Sequence, residues 1–188
     1  MPVRTNRYSV PIRFAGRVLE VRIHARTLEF LQEGRVVACH KRLFGRFGVQ
    51  IELDHYLELF RFKPGALAGS EALWQARAAG RWPDVYDALW RVLRERYGET
   101  DGTRQLVEVL LLVRESPAHQ VTAAVVPALQ RGGCDADAIR LLVRGRDNHG
   151  ADSPGRLEVG DLKRFDRPLG GVGDYDQLLA WTAVPGLQ

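Results

Sequence analysis

The hydrophobic period changes once along this chain. It is two before Lys41 and helical after Asp54, and no single regular element accommodates both. In the first part Leu19, Val21, Ile23 and Ala25 alternate with Val18, Glu20, Arg22 and His24, which predicts a half-buried strand. Val10, Ile12 and Phe14 alternate with Pro11 and Arg13 in the segment before it, and Ala15-Gly16 predicts a hairpin connection between the two. Leu28 and Phe30 mark a third strand, Glu33-Gly34 a second turn, and Val37 with Cys39 a fourth strand. Four short strands with tight turns predict a small barrel or rolled sheet, which hides its edges by closing.

After Asp54, His55, Leu59 and Phe62 share one helical face, and Pro64-Gly65 stops that helix. Residues 67–82 contain Trp74 and Trp82 but are weakly periodic, which predicts partial helix. Pro83 suits the first turn of a helix whose stripe is Val85, Leu89, Leu93 and Tyr97 and whose end is Gly98. Residues 103–115 are apolar nearly all round, as the buried centre of a helical domain must be. Ser116-Pro117 serves as cap and first residue of the next helix, and Gly132-Gly133 ends it. Pro127 falls inside that helix at a cost of about 3 kcal/mol, so a bend or break is expected near Ala124. Asp135 caps a last short helix through Val143, and residues 145–160 have a flexible-linker composition. The expected fold class is α+β: a small basic β-barrel over residues 1–52, a helical domain over 53–145, and a linker with a C-terminal segment over 146–188.

A chain of 188 residues with 45% hydrophobic content can bury a core as one domain or two small ones. The longest apolar run, Val109 to Val113, is far short of a membrane span, and the first residues lack the apolar core of a signal peptide. A soluble, intracellular protein with no membrane partner is expected. Cys39 and Cys134 show no CxxC spacing, which predicts buried free thiols rather than a zinc ribbon or a disulfide framework. The charge is unevenly divided. Residues 1–65 carry 12 Lys+Arg against 6 Asp+Glu, a net of +6, and residues 66–188 carry 15 against 17, a net of −2. Basic charge gathered in one segment is the footprint of a polyanion binder.

Within that basic segment, His40-Lys41-Arg42 with Arg46 is the strongest candidate for phosphate contact. Arg42-Leu43-Phe44-Gly45-Arg46-Phe47-Gly48 interleaves cations with aromatics and glycines, which let a backbone come close to phosphates. The alternative is a solvated loop whose Phe44 and Phe47 tuck into the barrel. Arg7, Arg13, Arg22 and His24 lie on polar strand faces and are further candidates, as are Arg61 and Lys63 at a helix end, where the dipole also favours positive charge. His55 reads as structural, because it precedes an apolar helical face. Cys39, His40 and His55 would lack a clear fourth zinc ligand, so no metal or cofactor is expected. Asp84, Asp87, Asp135 and Asp137 sit where helix capping and the macrodipole explain them, so no catalytic residue is assigned.

Five segments in order carry a family resemblance: Asn6-Arg7-Tyr8-Ser9-Val10-Pro11, then His40, Asp54-His55-Tyr56-Leu57, Lys63-Pro64-Gly65-Ala66 and Asp174-Tyr175-Asp176-Gln177-Leu178-Leu179. From about Arg4 to Leu179 the chain resembles the region downstream of the catalytic domain in IstA-type insertion-sequence transposases, whose helper is the IstB ATPase. The resemblance implies a Tyr-Ser-Val-Pro strand opening a β-barrel, with the later segments leading into a helical region. It also implies that the metal-assisted strand transfer of the family, run by three carboxylates on an RNase-H-like sheet, lies outside this chain. The implied function is non-catalytic: DNA binding and assembly in transposition and DNA recombination. The implied partners are duplex DNA of the transposon end or target, other transposase subunits and a helper AAA+ ATPase, in the cytoplasm at the nucleoid. A second reading is a protein-docking module for that ATPase or another subunit, with little DNA contact.

Overall fold

The computed structural model describes residues 1–150, with side chains to residue 145. Strands β1 (Pro2–Val3), β2 (Asn6–Tyr8) and β6 (Val49–Gln50) form one three-stranded sheet with β2 central, antiparallel to β1 and parallel to β6. Strands β3 (Glu20–Ile23), β4 (Thr27–Gln32) and β5 (Arg35–Lys41) form a second, an antiparallel meander. The expected closed barrel is therefore replaced by two small sheets. The segment meant to continue the first sheet, Val10 to Phe14, is not a strand: Pro11 has no N–H to give a ladder, and Ile12–Phe14 is a 3-10 turn. The Ala15-Gly16 turn consequently joins no hairpin.

The buried face of β5 is also the opposite of the one expected. Ala38 and His40 are buried while Cys39 is exposed. Val37 is an extra residue, because pairing runs from Leu31↔Val36 directly to Phe30↔Ala38. That bulge turns the rest of β5 by one position, and a shift of one residue exchanges the two faces. The sheet core consists of Tyr8, Leu19, Leu28, Phe30 and Ala38.

Among the described residues five α-helices follow: α1 (Leu57–Phe62), α2 (Glu71–Ala78), α3 (Asp84–Leu111), α4 (Ala118–Arg131) and α5 (Ala136–Gly150). The chain enters α1 through a 3-10 turn, Leu53–Tyr56. Its tighter winding rotates the apolar face, so Leu57 and Phe60 are buried, Leu59 is only half-buried and Phe62 lies in solvent. Pro117 rather than Ser116 stands at the N-cap of α4. That helix runs unbroken through Pro127, so the expected interruption near Ala124 is absent. Val121, Ala124, Val125 and Ala128 are all buried, and tertiary burial outweighs the local cost of the proline. Asp135 does cap α5, accepting from the Ala138 N–H at 2.8 Å. Residues 145–150, expected as the start of a linker, belong to α5, and the remaining linker and the Asp174–Leu179 segment lie outside the described residues. Among the described residues no helix is long and apolar enough to cross a membrane.

Helix α3 turns sharply at Gly98, whose φ of 80° and ψ of 171° are not helical. The chain then folds back, and Gly102 packs on the backbone of Leu93 and Arg94. A Cβ on Gly102 would lie 2.5 Å from the Leu93 carbonyl oxygen. Nearby the Trp90 indole N–H donates to Thr103 Oγ1 at 2.8 Å, and the Thr103 hydroxyl donates to the Glu99 carbonyl at 2.6 Å. Gly102→Ala should therefore destabilise the protein by about 1–3 kcal/mol, since backbone cannot yield as a side chain can. Urea denaturation measures this; unchanged stability would mean that the two segments separate at little cost.

The helices bury one large cluster around Leu89, Leu93, Leu106, Val107 and Val125. Polar contacts join it to the sheets. Gln75 accepts from the Ile51 N–H at 2.8 Å and donates to the Val49 carbonyl at 3.1 Å. Within the helical part, Arg114 ties the end of α3 to α1 and the turn before it, binding Asp54 and Glu58 at 2.8 Å each. Residues 1–150 belong to one compact unit.

Candidate nucleic-acid interface

The connection from β5 to β6 leaves the sheets as a loop, residues 42–48, and one buried side chain shapes it. Asn6, 5% exposed, donates from Nδ2 to the carbonyls of Leu43 at 3.1 Å and Gly45 at 2.9 Å, and its Oδ1 accepts from the Gly48 N–H at 2.9 Å. Both amide donors and the acceptor are used, so the loop is held at three points by one residue. Tyr8 adds a fourth: its hydroxyl accepts from the Leu43 N–H at 2.9 Å. The alternation of β2 turns Asn6 and Tyr8 inward and leaves Arg7 exposed between them.

The loop so held presents cations and aromatic rings. Lys41 and Arg46 are exposed and Arg42 is half-buried. The Arg42 guanidinium donates to the His24 carbonyl at 3.2 Å and lies 5.3 Å from the centroid of Phe44. Phe44 and Phe47 are 75% and 82% exposed, so neither tucks into the sheets. The β1–β2 turn lies beside this loop, with the Phe47 N–H donating to the Thr5 carbonyl at 3.1 Å. Arg4, Arg42, Phe44 and Arg46 line a cavity of about 300 Å³ floored by Asn6, Tyr8 and Leu28.

The candidate cations separate into two groups. Arg13 pairs with Glu58 at 3.6 Å, Arg22 with Glu20 at 3.0 Å and Arg61 with Glu108 at 2.6 Å. Lys63 is exposed at the C-cap of α1. Among the described residues no carboxylate forms an ion pair with Arg4, Arg7, Lys41, Arg42 or Arg46. A cation already paired has less to gain from a phosphate, so the unpaired group is the better anion site.

His40 leaves the candidate set. It is 2% exposed, with Nε2 donating to the Ser9 carbonyl at 2.7 Å and its ring against Phe30 and Tyr8. Its ring also meets that of His55 edge-on at 5.5 Å. The Ser9 hydroxyl lies 2.7 Å from His55 Nδ1 and accepts from the Glu52 N–H at 2.9 Å. Burial pushes His40 below its ordinary pKa, and burial together with the neighbouring His40 pushes His55 down to about 4. Both rings are therefore neutral at pH 7, and they join the end of β2 to the entry of α1.

Residues 2–52, which include both sheets and this loop, match the family described as Mu transposase, C-terminal domain. Over 178 residues the chain is 32% identical to the transposase for insertion sequences IS1326/IS1353 of Pseudomonas aeruginosa, and as similar to that of Shigella flexneri; each alignment covers 92% of this chain and 33% of the relative. A transposase of Aminobacter aminovorans is 30% identical over 179 residues, 92% of this chain and 34% of its own. The chain is homologous to insertion-sequence transposases. It spans about a third of the length of the curated relatives it matches. No solved structure matches it.

In this transposase-related chain, sequence reasoning missed Arg4, Asn6 and Tyr8. Arg4 sits in a turn with φ of 53° between two very short strands, and nothing in its neighbours marks it as facing a loop some forty residues away. The partial signal for Asn6 and Tyr8 is their position either side of Arg7, which shows a shared face but not what it holds.

Proposed function

We propose that this chain is a non-catalytic DNA-binding and assembly region of an IstA-type insertion-sequence transposase. The observation that carries the reading is the loop clamped by Asn6, with Arg4, Lys41, Arg42 and Arg46 paired to no carboxylate among the described residues, inside the segment matching a transposase C-terminal domain. A loop fixed before binding costs little entropy on binding, and unpaired arginines and lysines can replace the counterions of a phosphate backbone. Duplex DNA of a transposon end or target is the ligand. Other transposase subunits and a helper AAA+ ATPase are the protein partners, as the order of the Asn6–Pro11, Asp54–Leu57 and Lys63–Ala66 segments supports. The carboxylates singled out in the sequence support a non-catalytic role: Asp84 and Asp87 lie in the first turn of α3, Asp137 in that of α5, and Asp135 caps α5.

If several phosphates are neutralised, log K plotted against log salt should fall with a slope of about −0.9 per contact on duplex DNA. Changing Lys41, Arg42 and Arg46 together to Ala should flatten that slope by about two to three units. The same mixtures with Mg²⁺ should leave the duplex uncut. A folded triple variant with an unchanged slope would place the contact surface elsewhere. Docking of the helper ATPase or another transposase subunit with little DNA contact is the second reading, favoured by Phe62 and Trp74 on the helices, 82% and 64% exposed. Binding of the helper ATPase with no salt-dependent DNA affinity would select it.

A further inference from the structure

Phosphate binding explains the cations of the loop but not its aromatic rings. Phe44 and Phe47 are 75% and 82% exposed, and Phe47 holds a φ of 60°, where a bulky side chain is rarely found. Neither ring contributes to the sheet core. Folding thus accepts a strained backbone at Phe47 and exposed apolar area at both positions, and gains no core packing in return. Three hydrogen bonds between Asn6 and the loop, and one from the Phe47 N–H to the Thr5 carbonyl, hold the rings in that exposed place.

A phenyl ring has no donor or acceptor with which to read a base edge. In a paired duplex the faces of the bases are covered by their neighbours, and the grooves offer edges, with only the thymine methyl as an apolar contact. Unpaired bases expose their faces, and aromatic side chains between cationic ones bind them by stacking without regard to sequence. We propose that Phe44 and Phe47 form a stacking platform for unpaired nucleobases, with Arg4, Arg42 and Arg46 taking the flanking phosphates. The proposal rests on the DNA-binding reading and deepens it: the preferred DNA carries a single-stranded stretch. Arg42, 5.3 Å from the Phe44 centroid, is placed to contact both the ring and a phosphate beside it.

The test uses the whole chain, a short single-stranded oligonucleotide carrying 2-aminopurine, and the same sequence fully paired, all at one salt concentration. Phe44→Leu and Phe47→Leu keep an apolar side chain and leave the backbone demand unchanged, and both positions are exposed, so folding should be preserved. Stacking on an aromatic ring is expected to strengthen single-strand affinity by roughly tenfold or more per ring, and each variant should lose that factor. Duplex affinity and its salt dependence should stay as in the unaltered chain. The unaltered chain should also change 2-aminopurine emission on binding, and the double variant should not. Equal loss on single-stranded and paired DNA would overturn the proposal, since the rings would then act as wedges between paired bases. Single-strand binding unaffected by either substitution would overturn it too, while leaving the DNA-binding reading intact. Absence of binding to both DNAs would overturn the DNA-binding reading itself, and the proposal with it.

Discussion

Replacing Leu106 with aspartate should unfold the helical part of the chain. Leu106 is fully buried, as are Val107 and Val109 beside it, so the second segment of α3 is enclosed on nearly every side. The substitution removes packing worth about 2–5 kcal/mol and leaves a carboxylate without a partner, at several kcal/mol more. The total stability of such a chain is about 5–15 kcal/mol. Leu110 makes the informative control. It is 6% exposed and borders a cavity of about 410 Å³ beside Trp82, Tyr86 and Arg114, where a carboxylate can be hydrated or meet a guanidinium. Leu110→Asp should therefore cost less. Helical circular dichroism and the emission of Trp82 and Trp90 report the loss. The sheets should lose amide-exchange protection as well, because five buried residues are a small core and its polar seam leans on Gln75 and His55. Sheet amides still protected in Leu106→Asp would show two independently stable units.

What was legible in the sequence was local. Gly98 and Gly132 end helical segments, Asp135 caps α5, and of the expected 103–115 Leu106 to Leu112 lie in the helical core while 113–115 are exposed; these signals act within a few residues of themselves. The sheets were misread where long-range pairing decides. The parallel register Arg7↔Val49 joins strands more than forty residues apart and of only two or three residues each. Nothing in the alternation of Val10, Ile12 and Phe14 shows that this segment is left without a partner. The extra residue at Val37 is equally silent, and by exchanging the faces of β5 it took His40 into the core and brought Cys39 out.

The candidate site divides in the same way. Lys41, Arg42 and Arg46 stood out because charge alternates with aromatic and glycine residues over positions 41–48. Their organiser was not, because Asn6 reaches the loop across 37 to 42 residues. Arg13 and Arg22 were nominated from polar strand faces and Arg61 from a helix end, and the structure adds the carboxylates that pair with them. A count of basic residues locates a field; which cations remain open to a phosphate depends on the fold.

The protein should lose stability on mild acidification, and His55 should carry much of the loss. The Ser9 hydroxyl has one hydrogen; it accepts from the Glu52 N–H, so it donates to Nδ1 of a neutral His55. Protonating Nδ1 would leave that hydroxyl hydrogen without its acceptor and place a charge 5.5 Å from the His40 ring. His40 resists protonation in parallel, since Nε2 donates to the Ser9 carbonyl and no protein group among the described residues meets its buried Nδ1. Burial, and then His40, lower the pKa of His55 from 6.5 to about 4, although Asp54 and Glu52 pull the other way. With the folded value below the unfolded one, the unfolded chain binds more protons between those pH values. Stability is therefore complete above pH 6.5 and falls as the pH drops toward 4, by roughly 3 kcal/mol for His55, with His40 adding in the same direction. Side-chain carboxyls ordinarily titrate at about 4, so the comparison between pH 7 and pH 5 isolates the histidines. His55→Asn keeps an acceptor for Ser9 and cannot take up the proton; its urea midpoint should be lower at pH 7 but much flatter across that interval. Parallel pH curves for the two proteins would show that His55 titrates as it does in the unfolded chain, and that the junction between β2 and α1 is open to water.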